Sequence, residues 1–166
     1  MNWEAMGVIA EIVGAAGVII TLIYVAIQIK QNTATTKSFT HQQLFDSVME
    51  VNCRIADSSE LAGLIVKANI DSTTLTAEEQ IRLQFLLINW FTLWHSAFLS
   101  RKSDGIDERA WGVWDKGLIT LLKQYAAVRY IWNELGHVFD NEFRSYVDAI
   151  LEEIGPVTDG SGVAGE

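Results

Sequence analysis

From Ala5 to Ile29 the chain runs through 25 largely apolar positions, interrupted by Gly7, Glu11, Gly14, Thr21 and Gln28, which with Val18, Val25 and Asn32 follow one another at alternating spacings of four and three. These residues fall within an arc of roughly 100° on a helix turning about 100° per residue. Such a helix extends roughly 37 Å at 1.5 Å per residue, enough to cross a hydrocarbon layer about 30 Å thick with some tilt. Residues 1–30 are therefore expected to form a transmembrane helix. Its Gly7, Glu11, Gly14, Val18, Thr21, Val25, Gln28, Asn32 stripe is the expected association face.

A secretory leader is the competing reading of the same segment. Leaders carry a basic start and an apolar stretch of roughly 7–15 residues, whereas here Glu4 and Glu11 accompany a much longer run. Lys30 and Lys37 follow the run closely and no Lys or Arg precedes it, which predicts a single span with the C-terminal domain in the cytoplasm. Trp3 suits the headgroup level on the opposite side.

The remainder has material for one compact domain: the chain has 166 residues, 49% apolar, with six tryptophans. With 12 basic against 21 acidic residues the net charge is −9, which disfavours nucleic acid as a partner. Cys53 stands alone, so no intrachain disulfide forms and a reducing compartment fits.

Neither Pro nor Gly occurs between Ile29 and Gly63, so the membrane helix is expected to continue. Leu44, Val48, Val51 and Ile55 restore a stripe that should pack against other helices. Asp57 with Glu60, and Thr76 with Glu79, have the spacing of capping boxes. The first would open a helix to about Ala68. The second would open a long one whose section from Ile81 to Leu99 carries an apolar arc too wide for a single buried side. Arg82, Gln84, Asn89, His95 and Ser96 interrupt that section, which argues against a second span.

Gly105 is expected to stop it, and Asp107 to cap a helix with Trp111, Trp114, Leu118, Leu121 or Leu122, and Tyr125 on one side. A short helix over Tyr130 to Leu135 should end at Gly136. Asp140 should cap a last helix carrying Phe143, Tyr146, Val147, Ile150 and Ile154. The prediction is an all-α chain: a transmembrane helix (1–30) continuing into a cytoplasmic helical bundle (31–154) of about five further segments. A flexible, glycine-rich tail (155–166) follows.

Four stretches carry a resemblance: M-N-W-E-A at the start, E-I-V-G-A from Glu11, T-L-I-Y-V-A-I-Q-I-K-Q-N-T from Thr21, and F-D-N-E-F-R-S-Y-V-D from Phe139. Together with the aromatic central helix, they resemble a family of uncharacterised bacterial membrane proteins with one N-terminal span and a helical C-terminal domain. The resemblance covers almost the whole chain and implies a bacterial inner-membrane location. It implies no activity.

Glu11 is the sharpest single residue, because an ionisable group at the bilayer centre costs about 2.5–3.5 kcal/mol on insertion scales. Its stripe also holds Thr21 and Gln28, which prefer a protein partner to lipid, and glycines that permit close approach. This predicts an oligomerising or partner-binding module whose partners are the bilayer and either copies of itself or a larger membrane protein. A homo-oligomeric proton or cation path lined by Glu11, Thr21 and Gln28 is a further reading. The bland alternative has Glu11 snorkelling to water.

His41, His95 and His137 lack the spacing of a zinc site, and Glu134 with His137 forms a single Glu-x-x-His unit where di-iron bundles need two. No metal and no cofactor is expected. With no phosphate loop or nucleophile elbow, and with Cys53 read as a buried structural residue, no enzymatic activity is expected either. Trp90, Trp94, Trp111 and Trp114 are a candidate apolar pocket, which would make the domain a membrane-tethered small-molecule sensor. Core packing is the plainer account of them.

Overall fold

Backbone N–H groups in the first turn of a helix have no partner within it, so side chains that answer them decide where helices begin. Four such answers order this chain. Ser58 accepts from the Leu61 N–H, Thr76 from Glu79, Asp107 from Ala110, and Asp140 from both Glu142 and Phe143. At Thr76 the exchange is reciprocal, since the Glu79 carboxylate accepts the Thr76 N–H at 2.7 Å.

The computed structural model describes residues 3–156. Its helices are α1 (Trp3–Ala56), α2 (Ser59–Ile70), α3 (Ala77–Lys102), α4 (Glu108–Gln124), α5 (Ala126–Leu135) and α6 (Asn141–Ile154). Two 3-10 turns, Ser72–Thr74 and Gly136–Val138, complete an all-helical fold without strands among the described residues. By compactness the chain divides into Met1–Phe39 and Thr40–Glu166. Polarity changes earlier, after Ile29, whereas Leu44 is the first buried side chain. The expected tail lies, from residue 157 on, outside the described residues.

Several helix ends differ from expectation. Asp57 does not cap α2; Ser58 does, and Glu60 instead pairs with Arg82 of α3. α3 ends at Lys102, and Asp104 rather than Gly105 takes the left-handed conformation, at φ 57°. Asp tolerates that region better than most residues because its short side chain bonds locally. α5 starts four residues earlier than expected, directly after α4, with Tyr125 closing one helix and opening the next. Tyr125 supplies no cap, and the Ala126 N–H donates instead to Asn69 Oδ1 at the end of α2, at 2.6 Å.

Within 40–156 the core lies between α3, α4, α5 and α6. Leu83, Leu87, Phe91, Trp94 and Ala97 bury one line of α3. Trp90, Leu93 and Phe98 flank it half-buried, while Phe85 is exposed, so the apolar arc of α3 is wider than the side it buries. Phe143 of α6, fully buried, sits among the rings of His95, Phe98, Trp132, Phe139 and Tyr146 at centroid distances of 5.1 to 6.1 Å. Polar handles are matched: Trp132 Nε1 donates to Asp148 at 2.8 Å, and the Tyr146 hydroxyl donates to Asp115. Arg129 of α5 donates to the carbonyls of Leu122, in the last turn of α4, and Gly155, just past α6. Partial burial draws its pKa down from the ordinary arginine value, and a guanidinium stays charged nonetheless.

Candidate functional site

The α1 stripe and the tryptophan set are the two places where function was expected. Among residues 3–36 every described side chain is exposed, and α1 is the one helix among the described residues long and apolar enough to cross a membrane. A Cβ added at Gly7, Gly14 or Gly17 would meet nothing within 4 Å. These glycines therefore pack against no side chain among the described residues. Glu11, Val18, Val25 and Asn32 are likewise exposed.

The polar members of the stripe are partly answered inside α1. The Thr21 hydroxyl donates to the Gly17 carbonyl at 2.9 Å, and Gln28 Nε2 donates to the Tyr24 hydroxyl at 2.8 Å. Thr33 and Thr35 bond back in the same way, to Ile29 and Gln31. A hydroxyl bonded to the turn before it no longer demands an external acceptor. Glu11 has no such bond among the described residues and is the stripe's one unanswered charge.

The four expected pocket tryptophans are divided between two places. Trp90 and Trp94 on α3 and Trp114 on α4 line an open groove of about 450 Å³, whose other wall is α1 through His41, Phe45, Val48 and Asn52. Trp94 and Trp114 meet edge to face at 5.8 Å, and Trp94 Nε1 donates to the Trp114 carbonyl at 2.8 Å. Trp111 is elsewhere. It packs on Phe98 and Tyr146, and the Arg101 guanidinium lies 5.1 Å from its ring centre. The three steps from Trp111 to Trp114 on α4, each of about 100°, turn the side chains apart by about 60°.

A second apolar hollow of about 340 Å³ adjoins the groove and shares Asn52, Trp90 and Leu121 with it. α2 closes its far side through Ala62, Ile65 and Val66. The two form an apolar trough along the Thr40–Ala56 part of α1, in which Val48 and Ile55 are half-buried as their spacing predicted. Gly117 lies in its floor, where an added Cβ would rest 3.6 Å from the Trp94 ring.

Sequence reasoning missed three features. Lys116 and Gly117, ordinary residues in the sequence, belong to the trough. His95, half-buried, bonds through Nε2 to Asp140, which simultaneously caps α6. The Phe143 N–H foremost, with His95 and the Glu142 N–H, holds the Asp140 carboxyl below the usual range against the opposing effect of burial. Cys53 is exposed, not buried as expected, because it faces away from the stripe of Leu44, Val48 and Ile55. Glu134 and His137 are exposed, and the described residues hold no group of three side chains suited to a metal ion.

A polar groove of about 420 Å³ between α2 and α3 completes the surface. Its cations are already matched, Lys67 with Glu79 at 2.7 Å and Arg82 with Glu60 and Glu78. No protein-family model, curated protein or solved structure matches the chain.

Proposed function

We propose that this protein is a membrane-anchored module that acts by association. In this reading residues 1–30 hold it in a bacterial inner membrane, the bundle faces the cytoplasm, and the Gly7 to Asn32 face packs against copies of itself or a larger membrane protein. The observation that carries the proposal is a long apolar helix whose described side chains over residues 3–36 are all exposed and whose glycines meet nothing among the described residues. Exposed apolar surface of this extent needs lipid or protein to cover it. Small residues let a second helix approach, and the unanswered Glu11 favours a protein or water environment over acyl chains. Lys30 and Lys37 after the run, and the resemblance of the Thr21 to Thr33 stretch to single-span bacterial proteins, support the same reading.

The lone exposed Cys53 gives a direct test of orientation. An impermeant maleimide should label it only after the inner membrane is opened. Copy number follows from stepwise photobleaching of labelled protein in lipid nanodiscs. A fixed number above one, or a stoichiometric membrane partner, that is lost in Gly14→Leu and kept in Ile19→Leu supports the association face. Protomers that remain solitary and without a partner in lipid, or a chain released from membranes by alkaline wash, would refute the proposal.

A further inference from the structure

The apolar trough has an uneven charge pattern. Its two adjoining hollows contain no carboxylate, although the chain holds 21 acidic residues against 12 basic. The only formal charge in their lining is Lys116. Lys116 has no ion pair among the described residues, a state it shares with Arg109, Lys123 and Arg144, and of these four it alone lines the trough. Trp114 beside it is more than nine-tenths buried and supplies apolar wall. A site that is apolar along its length, with one unpaired cation at its edge, complements an apolar chain ending in a single negative charge.

We infer that the trough binds a long-chain carboxylate, its acyl part along Trp90 and Leu121 and its head at Lys116. The main hollow, about 450 Å³, falls within the roughly 300–1,000 Å³ usual for small-molecule sites. Two-chain phospholipids and a second copy are the occupants that the test must separate. The inference is independent of what the α1 face contacts.

The test uses the full chain in phosphatidylcholine nanodiscs and, as probe, hexadecanoic acid with a mid-chain diazirine. Photolabelling should be saturable and map to peptides bearing Phe45, Trp90 and Val113. Hexadecanoate should compete at least about tenfold better than hexadecanol, the ratio that a head-dependent 1.4 kcal/mol gives. Lys116→Glu, an exposed change that leaves the core intact, should weaken labelling about fivefold or more by replacing an attraction with a like-charge contact, while Lys116→Arg preserves it. Lys123→Glu, the same charge change outside the trough, should leave it unchanged. Gly117→Leu should block it by filling the floor. Equal competition by hexadecanol, equal effects of Lys116→Glu and Lys123→Glu, labelling blocked by the nanodisc phospholipid itself, or cross-links joining two chains through residues 113–121 would each overturn the inference.

Discussion

Replacing Phe143 by Ala tests whether the aromatic cluster around α6 holds the bundle together. The side chain is fully buried and five rings surround it within 6.1 Å. Deleting a buried phenyl costs about 3–5 kcal/mol, as lost transfer energy plus a cavity that the surroundings only partly close. Five ring contacts, each worth roughly 0.5–1.5 kcal/mol beyond burial alone, place the expected loss at the upper end. Domains of this size are stable by only about 5–15 kcal/mol, so a large part of the total is at stake. With a urea slope of about 2 kcal/mol per molar, the midpoint should fall by roughly 2 M. Near-ultraviolet circular dichroism of the full chain in nanodiscs reads the bundle through its tryptophans. Phe143→Leu should cost less than about 1.5 kcal/mol, and Phe85→Ala, at an exposed position on α3, within about 0.5 kcal/mol. A Phe143→Ala variant no less stable than Phe85→Ala would refute the reasoning.

Further outcomes follow from local geometry. Gly136→Ala should lower stability by about 1–3 kcal/mol, because its Cβ would come within 3.0 Å of the buried Trp132 ring, which Asp148 holds in place. Gly112→Ala, in open space within α4, should raise it by about 0.5–1 kcal/mol, both read from urea midpoints. Burial first, then Asp115, pushes the Tyr146 phenol above its ordinary range. Its contribution is therefore full below the unfolded value near pH 10 and declines as pH rises towards the folded value. Absorbance at 295 nm should show no difference between the protein and Tyr146→Phe until alkaline unfolding begins. The carboxyls of Asp71, Glu79 and Asp140 are held below their ordinary values by hydrogen bonds, led by Thr73, Lys67 and the Phe143 N–H respectively. Depressed values stabilise the fold above about pH 4, with the contribution lost as acid protonates the folded groups. Urea midpoints from pH 5 to 2 should fall, and less steeply in Asp140→Ser, which keeps the cap but not the charge.

Features that depend on neighbours within four positions were readable in the sequence. The Thr76 and Glu79 exchange, the Asp107 and Asp140 caps, and the lines of Trp114, Leu118 and Leu122 on α4 and of Phe143, Val147 and Ile150 on α6 need only helical spacing to be found. The cap of α2 was displaced by one residue because Asp57 and Ser58 both suit the role, and Glu60 has a tertiary partner in Arg82. Spacing says which residues share a side of a helix, not what that side meets. Hence the tryptophans read as one pocket divide, Trp111 going to Tyr146 and Trp114 to Trp94, and Lys116 gains its meaning only where three helices converge.

Arg129 has a consequence for how the domain comes apart. Its guanidinium grips two backbone carbonyls that terminate different helices, where dipoles leave partial negative charge. Neither acceptor titrates, and the donor stays protonated across the whole working range of a protein. The junction thus contains no proton-sensitive part. When acid frees the carboxylate caps, amides around Leu122 and Leu151 should be the last to exchange with deuterium, leaving a corner knotted after its surroundings have loosened.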